Sequence, residues 1–343
     1  MKKIKKSVFV KDIQIGGGAP VSVQSMTNTD TENIVETLNC VNRLHDAGAE
    51  LVRISVPSVK AAEALKEIIR LSPVPIIADV HFDPKLALLS IEAGVHKLRL
   101  NPSNIPKTAL KDIARAAKER HIPIRVGVNE GSVKADCTPQ KLAELCVDTA
   151  KALEDAGTDE LVLAVKSSYV KKTVLAYREL DKISDYPLHI GLTEAGTENF
   201  GSVKSAIAVG ALLVDGIGDT LRISLAGDPV KEVTWGIKIL RAAGVRKDYI
   251  EVIACPTCAR TNIDVHAYAE KVEEMTAKYN KPLKIAVMGC AVNGIGESRG
   301  AQIGVCGGKE RSLLFKDGKP FKEVDNSDVL AELLRLTEEK LGQ

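Results

Sequence analysis

Eight short apolar runs recur along the first two thirds of the chain, each followed by a longer amphipathic, charge-rich stretch. The runs cover residues 21–26, 51–56, 76–80, 97–101, 124–129, 160–166, 188–193 and 220–225, and successive ones begin 21 to 36 residues apart. They are continuous in Val, Ile and Leu instead of alternating with polar residues, as parallel strands covered on both faces require. The intervening stretches, such as 33–47 and 139–156, have helical periodicity, and several stop at Ala-Gly or Asp-Ala-Gly, which suits a helix C-cap. Eight such repeats predict an α/β fold of the eight-fold β/α (TIM) barrel type. An open doubly wound sheet competes with it, but the first βα turn lacks the Gly-rich fingerprint of that architecture.

The pattern changes after the helical stretch 230–243. Strand (249–254), helix (265–279), strand (284–288), Gly-rich loop (289–304), a hairpin turning at Lys316-Asp317-Gly318-Lys319 and a terminal helix (328–341) follow. The expected division is therefore a barrel domain, 1–245, and a small α+β domain, 246–343, a size that 343 residues accommodate. Lys+Arg 47 against Asp+Glu 45 leaves a net charge of +2, and aromatics are 3% of the chain. Neither figure suits a partner that is a nucleic-acid backbone or a run of stacked bases. Met1-Lys2-Lys3-Ile4-Lys5-Lys6 is basic, but no long apolar segment follows it, so a reducing cytoplasm is the expected compartment. Seven cysteines, an odd number in a chain this long, agree with reduced thiols.

Arg53, Arg99, Arg125, Lys166 and Arg222 interrupt five of the apolar runs. A charge inside such a strand is costly unless it is paired or meets a ligand. Each is expected toward the C-terminal end of its strand, where barrel active sites are built, so the five together predict an anion pocket. Structural ion pairs with Asp79, Glu130, Glu194 or Asp219 are the competing reading. Gly216-Ile217-Gly218-Asp219, before the eighth run, is a candidate phosphate loop. Gln24, Asn28, Asp79, His81, Asn101, Asn104, Asn129, Glu194 and Ser224 are polar residues expected at the same rim. Glu194 directly follows the seventh run, so its carboxyl is expected to face the pocket as a general acid or base. His45, His96, His121, His189 and His266 read as structural or exposed, and Cys40, Cys137 and Cys146 as small core residues.

The other four cysteines lie in the second domain. Cys255-Pro256-Thr257-Cys258 offers two thiolates from one turn, and Cys290 follows within a Gly-rich segment whose backbone N–H groups can approach a sulfide-rich cluster. A fourth ligand could be Cys306, which would suit tetrahedral zinc, or Glu297, a harder and more exchangeable donor that would suit a catalytic iron. A redox dithiol is a third reading of the C-x-x-C pair.

Val23-Gln24-Ser25-Met26-Thr27-Asn28-Thr29, Leu98-Arg99-Leu100-Asn101-Pro102-Ser103-Asn104, Arg125-Val126-Gly127-Val128-Asn129-Glu130-Gly131-Ser132, Gly216-Ile217-Gly218-Asp219-Thr220-Leu221-Arg222 and the spacing C-x2-C-x31-C-x6-E from Cys255 to Glu297 resemble the 4-hydroxy-3-methylbut-2-enyl diphosphate synthases. The resemblance spans nearly the whole chain and is to the shorter, bacterial two-domain form. It implies a [4Fe-4S] cluster on Cys255, Cys258, Cys290 and Glu297. It also implies that Arg53, Arg99, Arg125, Asn129, Lys166, Arg222 and Ser224 hold the diphosphate of 2-C-methyl-D-erythritol 2,4-cyclodiphosphate, with Glu194 as proton donor. Reductive opening and dehydration of that substrate, electrons from flavodoxin or ferredoxin, and a homodimer in which each cluster domain caps the partner's barrel are further implications. Two readings compete: a barrel lyase or transferase on a phosphorylated or pterin-like substrate with a structural zinc module, and a non-enzymatic binding protein with a zinc ribbon.

Overall fold

A computed structural model describes residues 4–100, 105–130, 133 and 137–342, with all side chains among them except those of Lys107, Asn293, Ile295 and Glu297. Asn101 and Asn104 lie outside the described residues, as does the side chain of Glu297. The chain divides into two compact units, Met1–Val245 and Arg246–Gln343.

The first unit opens with an antiparallel hairpin, β1 (Ser7–Val10) and β2 (Ile13–Gly16), that has no counterpart in the sequence reading. Eight parallel strands follow: β3 (Ser22–Met26), β4 (Leu51–Ser55), β5 (Ile76–Asp79), β6 (Lys97–Leu100), β7 (Ile124–Asn129), β8 (Leu161–Lys166), β9 (His189–Ile190) and β10 (Thr220–Leu221). Their order is β8-β7-β6-β5-β4-β3-β10-β9, and a parallel bridge between Leu163 and Leu188 closes the barrel. Val8, Val10 and Ile15 of the hairpin pack against Leu51, Ile77 and Val162, so one end of the interior is an apolar plug. Strands β9 and β10 are far shorter than their apolar runs. Regular pairing stops at Gly191, where the Arg222 carbonyl oxygen comes within 2.3 Å of the place a Cβ would take.

Helices α1 (Ile34–Asp46), α2 (Val59–Leu71), α3 (Pro84–Ala93), α4 (Lys107–Glu119), α5 (Pro139–Asp155), α6 (Val170–Ile183), α7 (Glu198–Val214) and α8 (Pro229–Ala242) alternate with the strands. Side chains of Asn33, Ser58, Asp83, Thr138 and Asp228 accept hydrogen bonds from first-turn N–H groups, which sets where five of these helices start. Among the described residues no helix is long and apolar enough to cross a membrane.

The second unit is a five-stranded sheet in the order β11 (Ile250–Ala254), β12 (Leu283–Met288), β13 (Ile303–Cys306), β14 (Arg311–Lys316) and β15 (Lys319–Asp325), with helices α9 (Val265–Thr276), α10 (Ala291–Glu297) and α11 (Val329–Leu341). The first three strands are parallel and the last two antiparallel. The segment 289–304, expected to be loop, contains α10 and the start of β13. Gly294 reads as a loop glycine, but it is there for contact: a Cβ on it would stand 2.2 Å from the Cys306 sulfur.

Candidate functional site

Inside the barrel, side chains from alternate strand positions point inward. This arrangement buries Arg53 on β4, Asp79 on β5, Lys97 and Arg99 on β6, Arg125 on β7 and Lys166 on β8. Asp79 holds two guanidinium groups: Arg99 Nη1 donates to its Oδ1 at 2.9 Å, and Arg53 Nε lies 3.4 Å from its Oδ2. His81 Nε2 stands 2.8 Å from the same Arg99 nitrogen. Arg222, just past β10, makes a two-pronged pair with Glu232, its Nε and Nη2 donating at 3.1 Å each. The buried Glu232 also accepts from Ser25 Oγ and from the Leu225 N–H. Six basic groups thus meet two carboxylates in this interior.

Arg125, expected near the end of its strand, is the second residue of β7. Its guanidinium reaches past Gly127, where a Cβ would stand 2.8 Å from Nη2, so that glycine leaves it a channel. Lys166 Nζ is likewise 3.1 Å from where a Gly191 Cβ would be. Burial, with Arg53 and Arg99 adding, holds Arg125 well below the usual guanidinium range. Burial lowers Arg53 to about 10, against the pull of Asp79 and with Arg222 and Arg99 adding. Burial and then Arg125 and Arg222 hold Lys166 well below an ordinary lysine. A site in which cations are kept against such opposition is tuned to receive negative charge.

The structure corrects several expectations. Gly216–Asp219 precedes β10, so it lies at the end of the barrel opposite the strand C-termini; Asp219 Oδ2 accepts from the Leu188 N–H at 2.9 Å, and a Cβ on Gly218 would stand 2.6 Å from Ile190 Cδ1. That turn is packing, not a phosphate loop. Glu130 pairs with Lys172 and Ser167, and none of the five strand cations is its partner. His189, read as structural, is fully buried in the barrel, and neither ring nitrogen has a hydrogen-bond partner among the described residues. Glu194 follows β9 at the strand C-terminal end but is exposed, with its backbone in the left-handed region (φ +52°), unusual for a non-glycine residue. Asn129, the last residue of β7 and register partner of Lys166, and Ser224 after β10 are half-buried. Glu232 and Lys97 were missed: Glu232 reads as an ordinary first-turn helix acid, and Lys97 begins its run, where a lysine reads as a strand flank.

In the second unit the ends of β11 and β12 lie side by side, which brings the C-x-x-C turn next to Cys290. Cys255, Cys258 and Cys290 line one cavity of about 130 Å³ with Pro256, Arg260, Met288 and Gly294. The Gly289 N–H donates to the Cys255 sulfur at 3.1 Å, and N–H donation from Arg260 draws the exposed Cys258 thiol below its ordinary range. Asn262 ties the turn down: its N–H donates to the Gly289 carbonyl and its side-chain amide to the Gly307 carbonyl. Three thiols lining one cavity, with N–H groups donating to sulfur, form a donor set suited to a soft, sulfur-rich metal group. Among the described residues no three His, Cys, Asp or Glu side chains are grouped closely enough to hold one metal ion. Cys306 is buried among Ala286, Met288, Ala301 and Phe315 with Cys255 packed against that cluster, and is not among the residues lining the cavity; burial, with Cys290 and Cys255 adding, pushes its thiol up to about 11.

A sequence model of the GcpE TIM-barrel domain matches residues 5–237, and one of the GcpE protein C-terminal domain matches residues 251–339. The chain belongs to the GcpE family. Similar GcpE relatives include proteins of Caldanaerobacter subterraneus subsp. tengcongensis and Geobacter sulfurreducens, each 46% identical over 100% of this chain and 99% of the relative. Both are named 4-hydroxy-3-methylbut-2-en-1-yl diphosphate synthase (flavodoxin). Among solved structures, Yersinia pestis dihydropteroate synthase superposes with a TM-score of 0.54 at 14% identity, covering 69% of this chain and 97% of its own. A Xanthomonas albilineans dihydropteroate synthase gives 0.52 at 15% identity over the same shares. At such identity the likeness concerns the barrel fold alone. The cation pocket falls within the GcpE barrel match, and the three-thiol cavity within the GcpE C-terminal match.

Proposed function

We propose that this GcpE protein reductively opens and dehydrates 2-C-methyl-D-erythritol 2,4-cyclodiphosphate, forming (E)-4-hydroxy-3-methylbut-2-enyl diphosphate for isoprenoid precursors. The substrate takes up two electrons and two protons and releases one water. The observation that carries the reading is the pairing, in one chain, of a buried cation excess in a barrel with a three-thiol cavity in a second unit. A transferase with a zinc module or a binding protein with a zinc ribbon would also use these thiols; the GcpE match over both units, shared with relatives named as this synthase, supports the reductive reading instead.

In the barrel, Arg53, Arg99, Arg125, Lys166 and Arg222 hold the diphosphate, with Asn129 and Ser224 donating at its edge. Asp79 and Glu232 keep three of the guanidinium groups in fixed orientation before substrate arrives. Ring opening moves negative charge onto a departing phosphate oxygen, and cations already in place stabilise that charge without reorganising. Glu194, on its left-handed turn at the strand C-terminal end, donates a proton as C–O bonds break. In the second unit Cys255, Cys258, Cys290 and Glu297 hold a [4Fe-4S] cluster, and the N–H groups around the thiols stabilise their ionised form. When bound, that cluster supplies single electrons at low potential and an exchangeable iron site, which no side chain provides. Flavodoxin, named with the relatives, is the electron donor, ferredoxin being the other donor of its class. The protein works in the cytoplasm as a head-to-tail homodimer, the cluster domain of one protomer capping the barrel of its partner.

Anaerobic purification followed by turnover of the cyclic diphosphate with a low-potential reductant tests the reading. Brown protein with four irons and four labile sulfides per chain and the expected product supports it; colourless, zinc-containing protein without turnover overturns it. Glu297→Ala should lose iron and turnover while the barrel stays folded, and full activity in that variant would end the assignment of Glu297. A fully active monomer by sedimentation at assay concentration would end the dimer.

A further inference from the structure

Lys97 is the most deeply buried basic group of the barrel, with 0% of its surface exposed. Inward-facing positions alternate along β6, so Lys97 lies one tier below Arg99, nearer the apolar plug. Its Nζ makes one hydrogen bond among the described residues, to Gln24 Oε1 at 3.5 Å, a long contact to a neutral acceptor. The Gln24 amide nitrogen, Arg125 Nε and Nη1 and both nitrogens of His189 are buried without a partner among the described residues. The two carboxylates that pair with this interior are already taken, Asp79 by Arg53 and Arg99, and Glu232 by Arg222.

We infer that Lys97 is a positioning residue of the anion site, an amine that is neutral in the empty barrel and gains a proton as the anionic substrate enters above it. A lone ammonium buried in the barrel, beside cations and with Asp79 and Glu232 already paired, is too costly to hold charged. A dianion at the mouth offsets most of the positive charge that opposes protonation, so the proton then becomes favourable, and the ammonium supports the diphosphate through Arg125 and Arg53. Arg125 from β7 and Arg53 from β4 oppose the charge on Lys97 most strongly after burial itself. The other titratable and charged groups buried around it are Arg99 on its own strand, Asp79 at the end of β5, Lys166 at the end of β8, His189 in β9 with Tyr177 of α6 donating to its carbonyl, Asp219 before β10 accepting from the Leu188 N–H, and Arg222 with Glu232 beyond β10. Burial and then the cations Arg125 and Lys166 hold His189 neutral, so it adds no competing charge at neutral pH. Substrate binding is therefore coupled to proton uptake, and affinity falls as pH rises.

This inference rests on the proposed substrate. Calorimetric titration of 2-C-methyl-D-erythritol 2,4-cyclodiphosphate into holoenzyme, in two buffers of different ionisation enthalpy, measures affinity and protons taken up together. Wild type should take up protons on binding; Lys97→Met should take up fewer and bind roughly ten-fold more weakly, the ratio that about 1.4 kcal/mol corresponds to. The loss in kcat/KM should fall mainly on KM. Without ligand the variant should melt a few degrees higher, because a desolvated amine has been replaced by an apolar side chain of similar length. Equal affinity and equal proton uptake in both proteins overturn the inference, as does a variant that melts lower, which makes Lys97 a structural prop. Wild type that fails to bind the cyclic diphosphate overturns the functional reading instead.

Discussion

The barrel pocket and the three-thiol cavity solve opposite problems. In the barrel Arg53, Arg99, Arg125 and Lys166 sit on strands and are almost wholly buried, and Asp79 and Glu232 hold Arg53, Arg99 and Arg222 in place. In the second unit the three thiols sit on turns just beyond strand ends, half-buried or exposed, held by N–H groups and by Asn262. Charge that must meet a departing phosphate has to be preorganised, so it belongs on rigid elements. Thiols on turns beyond strand ends keep an open side, which suits the metal group proposed for them. The barrel accordingly holds its cations against burial and mutual repulsion, whereas the second unit leaves its thiols half-buried or exposed.

Four substitutions break or sharpen that contrast, from the largest effect to the smallest. Cys290→Ser should abolish turnover and the brown chromophore together while barrel melting is unchanged; iron analysis beside calorimetry reads both, and a retained chromophore would show the wall tolerates a missing thiol. Asp79→Asn should cost the first unit about 3–5 kcal/mol, because two guanidinium groups lose a buried partner. Burial raises the Asp79 carboxyl, but Arg53, a hydrogen bond with His81 and Arg99 outweigh it and hold the group below the usual range. Its contribution is therefore complete above about pH 4 and lost as pH falls further, so denaturant melts across acid pH should show a shallower dependence in the variant. Arg125→Met should lower kcat/KM roughly 100-fold, with unfolding no easier than in wild type. Unchanged kinetics would remove Arg125 from the pocket. Cys306→Ala should cost about 1 kcal/mol of stability and leave iron content intact; loss of iron would return Cys306 to the ligand set.

Much of the fold is legible in the chain itself. Periodicity marks the eight strands and the helices between them, and side-chain caps at Asn33, Ser58, Thr138 and Asp228 sit where the helices begin. The hairpin β1–β2 escapes such a reading because eight residues of short alternation next to a lysine-rich start resemble a flexible lead-in. Helix α10 escapes it because glycines at 294 and 296 signal a loop, whereas the first is present to let the helix lie against Cys306. The site divides similarly. Basic residues within apolar runs and a C-x-x-C pair are visible locally. The role of Glu232, ten residues from Arg222 and on another element, is not.

The sequence by itself determined the repeat, the basic side chains inside the strands and the thiol turn, because those depend on residue type and near-neighbour spacing. Tertiary structure alone decided that Asp79 rather than Glu130 holds the arginines, that Gly216–Asp219 lies at the wrong end for phosphate, and that Cys306 is core. It alone decided that Lys97 and His189 lie in the interior without a charged partner. Each of those depends on which strands become neighbours around the barrel or the sheet and on how deep each position lies. Pairing and depth are set by closure of the whole fold, and no local window of the chain contains them.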